Sequence, residues 1–320
     1  MAIGRHIEEF HGLPVFNVEA ALADGKPLPA AGEVAWRLHL DYDADGSFEE
    51  LWESFLAAVD GTEVRALVIG SWWGDDAMDP LTETLALIVR SAGRLPALRG
   101  LFLGEVTYEE NEISWIQPAD LTPLLEAYPR LEELVARGAY STYGEVPPPY
   151  LRPLRHEHLR TLRFESGGLS GTVAQAIGAC ELPALERLDL WLGTEWYGAD
   201  TTVEDLAPLL DGSRLPALRH LGLENSDLSD QLAAALAGAP VVAQLSTLSL
   251  ALGTLGDQGA AALLAGQPLT HLTALDLHHH YLSEEMRQRL EDTLGAAGTA
   301  LDLSQTQNLD DDRPYVANGE

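Results

Sequence analysis

A short apolar pattern recurs along most of the chain. Each copy places apolar residues at its first, fourth and sixth positions, with more variable residues between them. The copies read VRALVI (64–69), LRGLFL (98–103), LEELVA (131–136), LRTLRF (159–164), LERLDL (185–190), LRHLGL (218–223), LSTLSL (245–250), LTALDL (272–277) and the fragment TALDL (299–303). Because successive side chains of a strand point to opposite sides, this alternation predicts a β-strand in every copy.

The stretches between these strands have a different period. Alanine and leucine recur at three- and four-residue spacing in TVAQAIGAC, VEDLAPLLDG, SDQLAAALAG, DQGAAALLAG and SEEMRQRLEDTL. Such spacing predicts helices that each bury one stripe. The fourth-position leucines, which we call anchors, are Leu67, Leu101, Leu134, Leu162, Leu188, Leu221, Leu248 and Leu275. One strand and one helix cannot bury their apolar sides alone, so neighbouring units are expected to stack.

The repeated unit resembles the leucine-rich repeat, L-x-x-L-x-L-x-x-N/C-x-L, of the ribonuclease-inhibitor type. The chain is also similar to an uncharacterised bacterial leucine-rich-repeat family through its segments HGLPVF, ISWIQ, LDLWLGT and LAGQPLT. The resemblance implies an α/β solenoid, a horseshoe with a parallel sheet on its concave side and helices on its convex side. Genes of that family neighbour radical-SAM and ATP-grasp genes, which implies a partner of modifying enzymes. The chain departs from the pattern where Asn or Cys is usual, with Val106, Gly167, Gly193, Ser226, Gly253 and His280.

The two ends of the chain lack the repeat and divide it into three regions. In residues 1–60, VAWRLHL (34–40) alternates like a strand and FEELWESFLAAV (48–59) carries a helical apolar stripe. This region is predicted to be an N-terminal cap, which a stack of repeats needs. Residues 61–304 form the predicted solenoid. Residues 305–320 are polar and are predicted to be a flexible acidic tail.

Strand alternation also predicts the residues that a partner could reach. Side chains between the anchors point away from the core, onto the concave face. Arg163 is expected beside Asp189, and Arg137 beside Glu165, on neighbouring strands. The predicted partner-binding residues of this face are Phe102, Arg163, Asp189, Trp191 and Glu224. Arg and Trp are frequent at interface centres; the alternative is a ladder of exposed ion pairs without a binding role.

Aromatic residues collect in the loops that follow the strands. They are Trp72, Trp73, Tyr108, Trp115, Tyr140, Tyr143, Trp196 and Tyr197. Trp196 and Tyr197, in the insertion GTEWYGAD, are further candidates for partner contact, because inserted loops of repeat proteins often bind. The alternative is that these loops fold back and bury their rings, and Trp115 is then expected to be the most buried.

Candidate chemistry is scarce. His278, His279 and His280 stand beside Asp276, but consecutive strand residues diverge, so no metal site is expected and His280 should bond to backbone in the turn. P-loop, nucleophile-elbow and zinc-protease motifs do not occur. Cys180 is the single cysteine and is expected to be a buried apolar residue. Neither a cofactor nor catalysis is predicted.

The charge limits the partners. Fifty acidic and nineteen basic residues give a formal net charge of −31, which disfavours nucleic acid and acidic membranes. The acidity either steers a basic partner or only keeps the chain soluble. With no apolar run long enough to span a membrane and no secretory signal, a cytoplasmic protein is expected.

The predicted function is a non-enzymatic scaffold, an adaptor or inhibitor, that binds a partner protein on the concave face. The alternative is recognition of a peptide or small ligand by the aromatic loop edge, in support of a modifying enzyme. Exposed and clustered loop aromatics would favour the alternative.

Overall fold

The structure, a computed structural model, describes residues 3–23, 25–41, 44, 46–74, 76–139, 150–309 and 313–319. The strands in these residues are β1 (Glu9–Phe10), β2 (Leu13–Asn17), β3 (Ala35–Leu38), β4 (Ala66–Ile69), β5 (Gly100–Leu103), β6 (Glu133–Arg137), β7 (Thr161–Glu165), β8 (Arg187–Gly193), β9 (His220–Ser226), β10 (Thr247–Ser249), β11 (Ala274–Asp276) and β12 (Ala300–Asp302). The helices are α1 (Val18–Ala23), α2 (Phe48–Ala58), α3 (Thr82–Arg90), α4 (Thr122–Ala127), α5 (Gly171–Ala179), α6 (Val203–Asp211), α7 (Ser229–Leu236), α8 (Asp257–Ala265) and α9 (Glu284–Leu290).

The described strands form one sheet in which they follow each other in chain order. β2 to β12 are parallel to their neighbours, and β1 is antiparallel to β2. The register joins the anchors: Leu188 pairs with Leu221, and Leu221 pairs with Leu248. The predicted α/β architecture with a mostly parallel sheet is therefore confirmed.

The two faces of the sheet differ. The anchors point toward the helices and share one core with them, in which Leu221 of β9 and Leu232 of α7 are fully buried. Some of the helices begin after a capping side chain. α6, for example, follows Thr202, whose side chain accepts from the Asp205 N–H while the Asp205 side chain accepts from the Thr202 N–H. We call the opposite face of the sheet the open face.

The N-terminal region contains more than the predicted strand and helix. Those two are confirmed as β3 and α2, and β2 adds one further parallel strand. β1 and β2 are joined by His11 and Gly12, both with positive φ (51° and 69°), as a tight hairpin turn requires. The hairpin carries Phe10 onto the open face, where it forms a second apolar cluster with Ala35, Ala66, Val68, Phe102 and Val135. We call residues 6–13 the N-terminal segment.

The C-terminal end differs from the flexible tail that the sequence predicted. Residues 313–319, the C-terminal segment, fold back along the edge at which the parallel strands end, which we call the carboxyl edge. Val316 and Asn318 are buried there, with 7% and 3% of their surface exposed. Of the acidic run DDD, residues 310–312, nothing is described.

Candidate binding site

Four of the predicted residues come together on the open face. The register places Arg163 beside Asp189 and Trp191 beside Glu224. The Trp191 indole Nε1 donates to Glu224 Oε2 at 2.8 Å, and the Arg163 guanidinium carbon lies 5.2 Å from the centre of the Trp191 ring. Arg137 and Glu165 are also neighbours, as predicted, and Arg137 Nε donates to Glu165 Oε2 at 2.6 Å.

This patch does not offer an exposed aromatic ring. Only 5% of Trp191, 8% of Glu224 and none of Asp189 are exposed. Adjacent strands lie about 4.8 Å apart, so Arg163 and Glu224 on both sides of Trp191 are close enough to cover the indole. The exposed groups are instead basic: 33% of the Arg163 side chain and 45% of the Arg187 side chain are accessible.

The pKa values of the two buried carboxyl groups of the patch are shifted in opposite directions. Burial works against the ionised form of Asp189, but the hydrogen bond from His220 and the charges of Arg187 and Arg163 outweigh it and lower its pKa. Burial, with the nearby Asp189 charge, raises the pKa of Glu224. Such a pair could act as acid and base in an enzyme. Asp189 has no exposed surface in this structure, and Glu224 keeps only 8%.

Phe102 lies away from this patch, under the chain's own N terminus. It is 4% exposed, its ring centre lies 5.9 Å from that of Phe10, and the Arg137 guanidinium carbon lies 5.1 Å from the ring centre. Phe102 is therefore covered by the chain's own residues in this structure, and its contact with a partner stays a prediction. Strand alternation correctly predicted the face of Phe102, but it gave no sign of the segment that covers it.

A polar cluster that the sequence did not predict lies where the N-terminal segment meets β3 and the loop after β5. Arg37 Nε donates to Glu105 Oε2 at 2.8 Å, and His6 Nδ1 lies 3.1 Å from the same oxygen. His39 Nε2 lies 3.3 Å from Glu110 Oε1. Burial, and after it the Arg37 charge, lowers the pKa of His39 to about 4. His6 and Glu105, for example, are 99 positions apart, so no local motif marks the cluster.

Two side chains of nucleophilic type are buried. Ser71 Oγ lies 3.0 Å from His39 Nδ1, and a carboxylate lies beyond the imidazole, but Ser71 is 4% exposed and donates to the Leu40 carbonyl. Cys180 is 1% exposed, and burial raises the pKa of its thiol, as its predicted apolar role requires. Both side chains bond to backbone groups and are almost fully covered.

The loop aromatics divide into two groups. Trp72 and Trp73 are buried, and the Trp72 Nε1 donates to the Asp79 carbonyl at 3.0 Å. Trp115 is half exposed, so its predicted burial is wrong, and Tyr108 is also half exposed. Trp196 is 86% exposed. Tyr140 and Tyr143 lie outside the described residues.

The carboxyl edge holds the C-terminal segment by backbone contacts. The Asn225 side chain donates to the Asn318 carbonyl at 2.6 Å and accepts from the Asn318 N–H at 2.9 Å. The Ala317 N–H donates to the Leu252 carbonyl at 2.8 Å. Asn225 and Leu252 have positive φ (51° and 64°). Further along the edge, the Tyr281 hydroxyl donates to the carbonyl of Tyr315 at 3.1 Å.

A groove of about 660 Å³ lies between this segment and the turn after β8. The walls include Trp196 and Tyr197 from the turn, Asp227 from the loop after β9, and Tyr315 from the C-terminal segment. The turn is a single 3-10 turn, Glu195–Tyr197, in which Thr194 Oγ1 accepts from the Trp196 N–H at 3.1 Å. Gly198 ends it with φ of 90°. This short, capped turn presents the indole to solvent.

The three consecutive histidines diverge, as the strand geometry predicted. His279 Nδ1 donates to the Gly253 carbonyl at 3.3 Å, and His280 Nε2 donates to the Leu303 carbonyl at 3.0 Å. His278 instead pairs with Asp276, a contact that raises the His278 pKa. Asp302 on the next strand, which the sequence did not single out, joins them: Asp276, His278 and Asp302 each offer a ligand atom, and these atoms lie within 4.8 Å of one another. The three side chains are partly or fully accessible, and such exposed groups also gather without a metal.

No family model and no curated protein matches the chain. Solved structures do match it, among them a structural-genomics crystal structure of a protein from Bacteroides fragilis. The TM-score is 0.79 and the identity 28%, over 90% of this chain and 78% of that chain. This similarity supports the α/β fold with its mostly parallel sheet. Among the described residues, no helix combines the length and the apolar character that crossing a bilayer requires.

Proposed function

We propose that the protein is a leucine-rich-repeat solenoid of the cytoplasm that works by binding rather than by catalysis. The anchors recur at every strand from β4 to β11, and their register puts one above the next. Strands in chain order with a helix between most of them are what stacked repeats of this type form. The resemblance to the uncharacterised bacterial family supports the same assignment.

We place the binding site in the carboxyl-edge groove, and its occupant is an extended peptide segment. The observation that carries this proposal is Trp196, an indole with 86% of its surface exposed on the wall of a 660 Å³ groove. Tryptophan is frequent among residues that dominate binding. The backbone contacts of the C-terminal segment along the same edge support a peptide as the occupant. Binding would present the segment to a modifying enzyme, as the family resemblance implies.

The open-face patch is the second candidate. The observation in its favour is the pair of basic side chains, Arg163 and Arg187, that stay partly exposed above buried carboxylates. Its weakness is the burial of Trp191, because the ring cannot supply apolar contact without first displacing Arg163 or Glu224.

A peptide selection tests the proposal. A random peptide library would be selected on the full chain, and the affinities of the enriched peptides measured by calorimetry. Trp196→Ala should weaken binding at least about tenfold. Trp115→Ala, which removes another exposed indole away from the groove, is the matched control and should leave affinity unchanged.

Two results would overturn the proposed site. If no peptide is enriched, the groove does not bind extended segments. If peptides bind but lose affinity in Trp191→Ala, with an unchanged melting temperature, and not in Trp196→Ala, the site lies on the open face.

A further inference from the structure

The chain combines an arginine, an aromatic ring and a carboxylate twice on its open face. The Arg163 guanidinium carbon lies 5.2 Å from the centre of the Trp191 ring, and its Nε lies 2.8 Å from Glu165 Oε1. Arg137 lies 5.1 Å from the ring centre of Phe102 and donates to Glu165 at 2.6 Å. In both places the guanidinium is attracted by the electron-rich ring face and by the carboxylate charge at once.

The groove at the carboxyl edge contains two of these three groups. Trp196 and Tyr315 supply aromatic rings that are 86% and 49% exposed, and Asp227 supplies the carboxylate. Among the described residues that line the groove there is no lysine, arginine or histidine. Arg313, which immediately precedes the lining residues of the C-terminal segment, is exposed and does not line the groove. The described residues therefore supply no cation to the groove wall.

The surroundings of Asp227 favour a positive partner. Desolvation of its carboxyl group is the main reason for its raised pKa, and the neighbouring Glu195 charge adds to it, while hydrogen bonds from the backbone N–H groups of Glu195 and Asp227 oppose the shift. A cation placed beside this carboxylate would stabilise the ionised form and relieve the repulsion from Glu195. The net charge of −31 adds a field that attracts cations at longer range.

We propose that the groove binds an arginine side chain of an extended peptide, with the guanidinium stacked on the Trp196 indole and paired with the Asp227 carboxylate. This inference rests on the proposed function, and it names the chemistry of the residue that the groove selects. Arginine fits better than lysine because its planar guanidinium can stack on an indole and donate to a carboxylate at the same time. The ammonium of lysine is a compact, strongly hydrated charge and would bind more weakly.

Nuclear magnetic resonance of the full chain tests the proposal directly. The chain has seven tryptophans, and the indole N–H signal of Trp196 is assigned from its loss in Trp196→Phe. The probes are blocked pentapeptides with Gly on both sides of Arg, Lys, Glu or citrulline, the last of which has the shape of arginine without its charge. The Arg peptide should shift the Trp196 signal and saturate it at a concentration about fivefold or more below that of the citrulline peptide.

The variant Asp227→Asn should weaken binding of the Arg peptide about threefold and leave binding of the citrulline peptide unchanged. Glu204→Gln, which removes one exposed charge from α6 outside the groove, controls for the change in net charge and should have no effect. Equal binding of the Arg and citrulline peptides, or an unaffected Asp227→Asn, would refute the arginine proposal while leaving a peptide groove in place. If none of the four peptides shifts the Trp196 signal and the library also yields no binder, the proposed function fails together with it.

Discussion

Both ends of the chain fold back onto the sheet, but they leave different surfaces behind them. The N-terminal segment covers the open face over β3 to β6, where the Phe10 ring packs on Phe102 and His11 Nδ1 lies 2.9 Å from Glu133 Oε2. The C-terminal segment is held at the carboxyl edge mainly through its backbone, and it forms one wall of an open groove.

The two surfaces distinguish aromatic rings that stabilise the fold from aromatic rings that a partner could contact. An aromatic ring that the chain buries with its own residues contributes to stability and is not accessible to a partner. An aromatic ring left exposed beside a groove contributes little to stability, so its presence calls for another explanation. Substitutions at the two ends of the chain can test whether the two surfaces differ in this way.

The largest effect is expected from Phe10→Ala. Removing a buried aromatic side chain leaves a cavity beside Phe102, and the free energy of unfolding should fall by about 3 kcal/mol. The matched change in the C-terminal segment is Val316→Ala, which removes fewer buried atoms and should cost about 1 kcal/mol. Urea unfolding measures both. Equal losses in the free energy of unfolding would mean that the two segments contribute equally to stability.

Acid should loosen the N-terminal surface through His39. Its pKa of about 4 in the fold lies below the value of about 6.5 in an unfolded chain. The unfolded state therefore binds more protons between these values, and stability is full above about pH 6.5 and falls as the pH drops toward 4, by on the order of 2–3 kcal/mol.

His39→Asn tests this dependence, because the Asn side-chain oxygen can replace the imidazole nitrogen that faces Ser71. Thermal melts between pH 7 and about pH 4.5 should show a shallower loss of stability in the variant than in the wild type. Parallel curves would show that another group causes the acid sensitivity.

A smaller effect is expected from Asn225→Gly, at the carboxyl edge. Glycine accepts the positive φ of this position, so the variant removes only the side chain, which bonds to Asn318 and to the Ser166 carbonyl. Three hydrogen bonds are lost, at a cost of about 2 kcal/mol. Hydrogen exchange should speed up in residues 313–319 and stay unchanged in residues 6–13. Faster exchange at both ends would mean that the segments are coupled.

The smallest effect on stability is expected from Trp196→Ala. Since the indole is 86% exposed, the melting temperature should hardly change, with less than about 0.5 kcal/mol lost. A loss above about 1 kcal/mol would give the indole a structural role and remove the main reason to regard it as a binding residue.

The repeated part of the fold could be predicted from sequence because each unit repeats the same apolar pattern. Leu188, Leu221 and Leu248 recur with the same flanking pattern, so strand, helix and register follow from one rule. Alternation along β8 also predicted that Trp191 points to the open face. It could not predict burial, because burial depends on the length and conformation of Arg163 and Glu224 on other strands.

The two terminal segments escaped prediction for a physical reason. Phe10 finds its partner Phe102 across 92 residues, and Asn318 finds Asn225 across 93. Contacts between residues so far apart in sequence produce no periodic pattern. A short polar segment such as residues 313–319 also has the same composition whether it packs against the sheet or not. Trp196 was identified as a candidate by its place in an insertion, whereas Asp227 and Tyr315 became candidates only when the fold brought them to the same groove.

The two outermost strands also bear on self-association. A row of parallel strands could in principle continue from one molecule into the next through unpaired backbone groups at its ends. At one end β12 has only three residues, with Asp302 exposed, and at the other β1 has only two and runs in the opposite direction. A second copy could form only a few backbone hydrogen bonds with these short strands, and it would be repelled because it carries the same negative net charge. Among the described strands, both edges of the sheet are therefore poor templates for adding a strand from a second copy.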